Sequence, residues 1–84
     1  MYREVDPIVM YGADWCGDCR RARRFLDAAD AEYVWLDVER DPAKAAEAQR
    51  IGGSTRIPVV AFPDGSVLVE PTDAELEASL HQNA

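Results

Sequence analysis

The chain has 84 residues, of which 48% are hydrophobic and 30% charged, as in an ordinary soluble protein that folds as one domain with one modest core. Its formal net charge of -7 argues against nucleic acid or an anionic membrane as the main partner, because the average surface repels both. Residues 1–7 lack the apolar run of a signal peptide, and no segment approaches the ~20 apolar residues of a membrane span. We therefore expect a single domain over residues 1–84, cytoplasmic and monomeric.

The first half of the chain predicts a βαβ unit. Residues 5–11 form a short apolar run without alternation, which is typical of a strand buried on both faces. A helix is predicted from Gly17, with apolar residues at helical spacing at positions 22, 25, 26 and 29. Residues 33–38 are β-branched and aromatic and predict a second strand, which the intervening helix allows to run parallel to the first.

The second half predicts another helix and a hairpin. The pair 41–42 supplies an N-cap aspartate and a proline at the first helical position, and the glycine pair 52–53 ends that helix. Residues 57–62 and 66–69 flank a turn that contains Gly65, so they are predicted to pair as antiparallel strands.

The last predicted element is a helix that opens with a capping box. Thr72 and Glu75 have the spacing at which each side chain satisfies the other residue's backbone N–H. The chain is therefore predicted to be an α/β protein with a βαβ unit followed by an antiparallel ββα unit. Its core is expected to include Phe25, Leu26, Trp35, Phe62, Leu68, Leu76 and Leu80.

The chemistry of the chain centres on its two cysteines, Cys16 and Cys19, which lie three residues apart at the junction of a strand and a helix. A cysteine at a helix N-terminus faces unpaired N–H groups and the positive end of the helix dipole, and both favour the thiolate. Cys16 is therefore the predicted nucleophile. Cys19 lies one turn into the helix, close enough to attack a mixed disulfide on Cys16, and burial there would keep it protonated.

Two other interpretations of the cysteine pair are weaker. Core cysteines that are neighbours by chance belong within a buried stripe, whereas this pair falls where a strand ends and a helix begins. Structural zinc usually takes four ligands, and only His81, near the far end of the chain, is left to add to the two thiolates. We expect no metal and no tightly bound cofactor.

Several segments together resemble the glutaredoxin branch of the thioredoxin superfamily, and within it the mycoredoxins of actinobacteria. The resemblance covers nearly the whole chain and implies a thioredoxin fold with a four-stranded mixed sheet and three helices. It is carried by residues 8–11, by Trp15-Cys16-Gly17-Asp18-Cys19, by Gly52-Gly53, by Arg56-Ile57-Pro58-Val59-Val60, by Phe62-Pro63-Asp64-Gly65-Ser66 and by Glu70-Pro71.

The resemblance also implies a reaction and a geometry. Mixed disulfides between proteins and a low-molecular-weight thiol would be reduced through attack by Cys16, with Cys19 as the resolving cysteine. Pro58 would be cis and face the cysteines, and the Ile57 backbone would pair with the main chain of the bound thiol. The implied partners are thiol-modified or disulfide-bonded target proteins, together with a thiol or a thioredoxin reductase system as the electron source.

The segment before the last helix bears on which thiol is used. Glutaredoxins that use glutathione have two glycines there, and backbone amides that hold the γ-glutamyl carboxylate. In this chain Glu70 adds a like charge, and Pro71 has no N–H to donate. We therefore expect mycothiol, a cysteinyl sugar without that carboxylate, to be preferred over glutathione.

The remaining candidate site residues surround the cysteines or follow from the resemblance. Cations early in a helix oppose the helix dipole, so Arg20 and Arg21 are not expected to be there for helix stability. We expect instead that their positive charge favours the thiolate. Asp18 acts in the opposite direction, since its charge disfavours a nearby thiolate. Arg23 is expected to pair with Asp27 on the helix surface. The predicted substrate-binding set is Trp15, Gly17, Asp18, Arg20, Arg56, Ile57, Pro58, Glu70 and Thr72.

Two alternative functions stay open from the sequence. One is a dithiol electron donor, reduced by thioredoxin reductase, that serves an enzyme such as ribonucleotide reductase. The other is an iron–sulfur protein in which two chains share a cluster through Cys16 and external thiols. The monothiol and dithiol routes differ in whether Cys19 is required.

Overall fold

The computed structural model describes residues 7–84 and confirms the predicted order of elements. The Val5 end of the first predicted strand lies outside the described residues. Among those described, no helix is both long and apolar enough to cross a membrane. The elements are β1 (Ile8–Gly12), α1 (Gly17–Ala28), β2 (Tyr33–Asp37), α2 (Pro42–Gly52), β3 (Val59–Ala61), β4 (Val67–Val69) and α3 (Asp73–Gln82).

The four strands form one mixed sheet in the order β2-β1-β3-β4. β1 runs parallel to β2 and antiparallel to β3, and β4 pairs antiparallel with β3. Tyr11 near the end of β1 pairs with Val59 at the start of β3. The segment that follows β1 and the segment that precedes β3 therefore meet at the same edge of the sheet, which brings the cysteines beside Pro58.

The helix caps are those expected from the sequence. The Asp41 side chain accepts from the Ala43 N–H at 3.0 Å, and Gly53 ends α2 in the left-handed conformation with φ 80°. Both halves of the Thr72–Glu75 capping box are present at the start of α3. These caps could be predicted from the sequence because each depends on residues close together in the chain.

The sheet is covered on both faces, which explains the unbroken apolar run of β1. Ile8 and Met10 belong to a core shared with α1 and α3, with Ala22, Leu26, Val60, Phe62 and Leu76. Tyr11 faces the opposite way, into a smaller core with Ala48 of α2 and Val59. Phe25, Trp35, Leu68 and Leu80 pack against the first core while only partly buried.

β1 ends one residue later than predicted, at Gly12, and β2 and β4 are each one residue shorter than predicted. Two further boundaries also differ. β3 spans three residues instead of residues 57–62 because Pro58 has no N–H to donate to a ladder. α1 ends at Ala28, so Ala29, predicted on the buried stripe, is the exposed C-cap residue.

The predicted pair between Arg23 and Asp27 is wrong. The Arg23 guanidinium lies 4.2 Å from the centroid of the Trp35 ring, and its Nη1 lies 3.7 Å from a carboxylate oxygen of Asp14. Asp27 instead accepts from the Tyr33 hydroxyl at 3.0 Å. A cation over an indole face gains more from the ring than from an exposed carboxylate one turn away.

Candidate active site

Cys16 is the N-cap residue of α1. Its backbone is extended, with φ -79° and ψ 114°, and its Sγ accepts from the Cys19 N–H at 3.2 Å. A sulfur thus takes the position that a serine or aspartate oxygen usually occupies at a helix start. A thiolate there gains a charge-assisted hydrogen bond and faces the positive end of the helix dipole, as predicted from the sequence.

Cys19 is fully buried one turn into α1, and both thiols are free. It packs in a small apolar cluster with Ala13 and Cys16, against which Ile57 and Trp35 also lie. Burial raises the pKa of Cys19 to about 12, and its hydrogen bond to Cys16 contributes in the same direction. Cys19 is therefore a protonated thiol within hydrogen-bond reach of Cys16, whereas Cys16 lies at the surface end of the pair.

Gly12, which the sequence analysis missed, allows this packing. A Cβ at Gly12 would lie 2.7 Å from Cys19 Sγ and 2.8 Å from Cη2 of Trp35, closer than side-chain atoms approach one another. The last residue of β1 must therefore be a glycine for the strand to pass so near the buried thiol. A glycine at the end of an apolar run, just before the cysteines, was the available signal.

The Ile57–Pro58 peptide bond is cis, as the resemblance implied. Pro58 is fully buried, and its carbonyl accepts from the Glu70 N–H at 2.9 Å. Ile57 contacts the cluster that holds the two cysteines. The Ile57 backbone thus borders the thiols, and its pairing with a bound thiol stays a prediction.

A charged groove of about 420 Å³ lies between the start of α1 and the start of α3. Arg21 crosses it: its Nε donates to Asp18 Oδ1 at 3.1 Å, Nη1 donates to Asp73, and Nη2 donates to the Pro71 carbonyl. The hydrogen bond to Asp18 raises the pKa of Arg21, and Asp73 adds to the effect, so Arg21 stays cationic. The groove is lined by Asp18, Arg21, Glu70, Pro71, Thr72, Asp73 and Ala74.

Glu70 and Thr72, both predicted to bind substrate, border this groove. Glu70 has the left-handed conformation with φ 51°, which is costly for a residue with a side chain, and its carboxylate lies 3.5 Å from Nη1 of Arg56. The Thr72 hydroxyl accepts from the Glu75 N–H at 3.1 Å, and the Thr72 N–H donates to the Glu75 carboxylate at 2.8 Å. The Thr72 N–H is therefore already used by the capping box, in which the hydroxyl serves as an acceptor.

The other predicted residues lie around the mouth of the site. Trp15 is 65% exposed directly before Cys16, and Gly17 is the first residue of α1. Arg20 donates from Nη1 to the Asp14 carbonyl at 2.8 Å. The hydrogen bonds of Arg20 and Arg21 thus go to oxygen atoms and not to sulfur, so any effect of the two cations on the thiolate acts through space.

Within residues 7–84, no three or more histidine, cysteine, aspartate and glutamate side chains lie close enough together to hold an ion.

Comparisons with known proteins agree with this geometry. A family model described as Glutaredoxin matches residues 8–67. A Mycobacterium tuberculosis protein named "Putative glutaredoxin" is 35% identical over 74 residues, which cover 87% of this chain and 88% of that protein. A glutaredoxin of Pseudomonas aeruginosa is 32% identical over 56 residues, covering 67% of each chain.

A solved glutaredoxin structure has the same fold. The crystal structure of a glutaredoxin from Archaeoglobus fulgidus matches with a TM-score of 0.78 at 20% sequence identity, covering 87% of this chain and 84% of that one. A Cys-x-x-Cys pair in which one thiol caps a helix and the other is fully buried can carry out thiol–disulfide exchange. On its fold, its site and its sequence relatives, the chain is a thiol–disulfide oxidoreductase of the glutaredoxin family.

Proposed function

We propose that this glutaredoxin reduces mixed disulfides between proteins and a low-molecular-weight thiol, with mycothiol preferred over glutathione. The observation that carries the proposal is the unequal cysteine pair: Cys16 caps a helix and keeps 9% of its surface exposed, while burial holds the pKa of the fully buried Cys19 at about 12. Such a pair has one nucleophile and one slower thiol in reserve. The proposed setting is the cytoplasm, with the chain acting as a monomer.

The first step is attack by the Cys16 thiolate on the sulfur of the low-molecular-weight half of the mixed disulfide. A bond forms between Cys16 and that sulfur, and the bond to the target protein breaks. The target leaves as a thiolate that then takes up a proton from water. The apolar contacts of Ala13, Cys19 and Ile57 hold the Cys16 sulfur in place for this exchange.

Two routes then regenerate Cys16. In the monothiol route, a second low-molecular-weight thiolate attacks the adduct, takes its sulfur as a small disulfide and releases the Cys16 thiolate. In the dithiol route, Cys19 loses its proton and attacks Cys16, which releases the small thiol and leaves a Cys16–Cys19 disulfide. That disulfide needs two electrons from a thiol or a thioredoxin reductase. The raised pKa of Cys19 favours the monothiol route at neutral pH.

The groove supports the choice of mycothiol. Three carboxylates line it, those of Asp18, Glu70 and Asp73, and Arg21 is the one cation among its lining residues. Pro71 has no N–H, and the Thr72 N–H is engaged by Glu75. A γ-glutamyl carboxylate would therefore meet like charge and few available donors, whereas a sugar hydroxyl can donate to carboxylates.

The test compares two mixed disulfides of one target peptide, one with mycothiol and one with glutathione, under the same conditions. We expect a higher kcat/KM for the mycothiol substrate. Equal values would refute the preference while leaving the reaction intact.

A Cys19→Ser variant tests the route. We expect it to clear the mycothiol mixed disulfide at a rate close to that of the unaltered chain when free mycothiol is supplied. If activity requires both cysteines, the chain acts as a dithiol donor, and the proposed monothiol route is wrong.

A further inference from the structure

We propose that Arg21 is a positioning residue of this site, one that fixes the groove in which the low-molecular-weight thiol binds. The inference rests on the proposed function, because it names a residue that determines affinity for the small thiol. Arg21 is not a catalytic residue in this proposal, since its guanidinium reaches oxygen atoms on the groove walls and no sulfur.

The guanidinium joins two segments that are far apart in the sequence. On one side it binds Asp18, the residue between Gly17 and Cys19. On the other side it binds the Asp73 carboxylate in the first turn of α3 and the Pro71 carbonyl just before that helix. These partners lie 50 and 52 residues away in the chain, so the contact spans the groove.

A third contact extends the connection to Pro58. The Glu70 N–H donates to the Pro58 carbonyl at 2.9 Å, next to the Pro71 carbonyl that Arg21 holds. The segment between β4 and α3 is therefore tied to the cis-proline on one side and to the cysteine turn on the other. Loss of Arg21 would remove the side-chain contact between this segment and the cysteine turn, while Pro71 and Leu76 would keep the segment and α3 packed in the fold.

Helix stability accounts for only part of the contacts of this arginine. Its pair with Asp18 is an i, i+3 contact within α1, whereas Asp73 and the Pro71 carbonyl lie outside that helix. The Arg21 side chain is also 29% exposed, against 81% for Arg40 in an ordinary surface pair with Asp37. Arg21 is a partly covered cation with three acceptors on two elements, which is the geometry that a planar guanidinium provides and an ammonium does not.

Charge adds a second reason for its position. Asp18 and Asp73 both face the groove, and Arg21 pairs with both. Without this cation the two carboxylates would face each other across the groove with no positive charge between them, and their repulsion would oppose the approach of the two walls. The same residue therefore holds the walls together and offsets the charge that would separate them.

The test measures steady-state kinetics on a peptide in mixed disulfide with mycothiol, using Arg21→Gln, Arg21→Lys and Arg24→Gln variants. We expect KM to rise about tenfold in both Arg21 variants, with kcat within about twofold, since a charge-assisted network is lost and one ammonium cannot reach three acceptors. Arg24 is exposed on the same helix and absent from the groove lining, so Arg24→Gln is the matched control and should leave KM unchanged.

Two further measurements separate positioning from general damage. The rate of Cys16 alkylation by iodoacetamide should stay within about twofold in the Arg21→Lys variant, because lysine keeps the positive charge near the thiol and that small reagent does not use the groove. A double-mutant cycle with Asp73→Asn should be non-additive, since the two side chains act through one contact. Additive effects, or a parallel loss of kcat and alkylation rate, would overturn the inference.

The failures of the two proposals can be told apart. If the unaltered chain acts on the mixed disulfide and the Arg21→Gln and Arg21→Lys variants keep its KM, the positioning role is wrong and the proposed function stands. If the unaltered chain does not act on low-molecular-weight mixed disulfides at all, the proposed function fails, and the positioning role fails with it.

Discussion

Two regions of opposite character meet at the start of α1. One is the apolar cluster of Ala13, Cys16 and Cys19, closed by Ile57 and Trp35, in which both cysteines are buried. The other is the charged groove along Asp18, Arg21 and Asp73, where the carboxylate side chains are 44% and 53% exposed. The difference separates two tasks under the proposed function: the deeper burial of Cys19 keeps that thiol protonated, and the open charged groove is the proposed surface for selecting the small co-substrate.

The largest expected loss of activity comes from replacing Cys16, the proposed nucleophile in the apolar cluster. A Cys16→Ser variant should lose at least about 10³-fold in kcat/KM on any mixed disulfide, because a hydroxyl is not ionised and does not attack a disulfide sulfur. Cys19→Ser is the matched control in the same cluster and should retain activity by the monothiol route. Substantial activity in the Cys16→Ser variant would mean that Cys16 is not the required nucleophile.

A methyl group at Gly12 tests whether the cluster depends on close packing. Gly12→Ala should lower the free energy of unfolding by about 1–3 kcal/mol, because the new Cβ would lie 2.7 Å from Cys19 Sγ. Chemical denaturation measures the change. Gly17→Ala is the control: its Cβ would meet only the flexible end of Arg20 at 3.6 Å, so that variant should be as stable as the unaltered chain or slightly more stable.

A substitution at Glu70 tests whether the negative charge of the groove disfavours glutathione. Glu70→Gln removes the carboxylate while leaving the backbone and side-chain size in place, and it should raise kcat/KM for the glutathione mixed disulfide by roughly twofold to fivefold. The rate with mycothiol should change less, since that thiol lacks the γ-glutamyl carboxylate. An equal change with both thiols would show that the groove does not discriminate by charge at this position.

The pH dependence of stability tests the burial of Cys19 in the cluster. Folding raises the pKa of Cys19 from 9.0 to about 12, so the unfolded chain loses this proton first as the pH rises. This contribution to stability is complete below pH 9 and is lost between pH 9 and about 12. Denaturation at several alkaline pH values should therefore show a shallower decline in a Cys19→Ala variant.

The unaltered chain must be compared with the Cys19→Ala variant because the Tyr11 hydroxyl also loses its proton at alkaline pH. Its pKa is raised by burial and by a hydrogen bond to Glu47, so it adds a decline of the same sign. Both proteins retain Tyr11, and the difference between them isolates Cys19. Identical slopes would show that Cys19 does not keep its proton on folding.

The sequence predicted the reactive half of the site better than the selective half. Cys16, Cys19 and the start of α1 were predictable because a capped helix after a strand is a local pattern. The three acceptors of Arg21 were not, because Pro71 and Asp73 are about 50 residues away and nothing in the spacing indicates which arginine of α1 turns toward them. Arg23 shows the same limit, since its contact with Trp35 replaced the predicted pair with Asp27.

By itself, the sequence determined the order of the elements, their caps at Asp41, Gly53 and Thr72, and the identity of the two thiols, because each depends on neighbours within a few residues. The tertiary structure alone decided that Gly12 lies against Cys19 and that Arg21 joins two distant segments. It also decided how deeply Cys19 is buried and hence how far its pKa rises. Burial and long-range contacts arise only when the sheet and helices pack, and in this protein they distinguish the nucleophile from its buried partner.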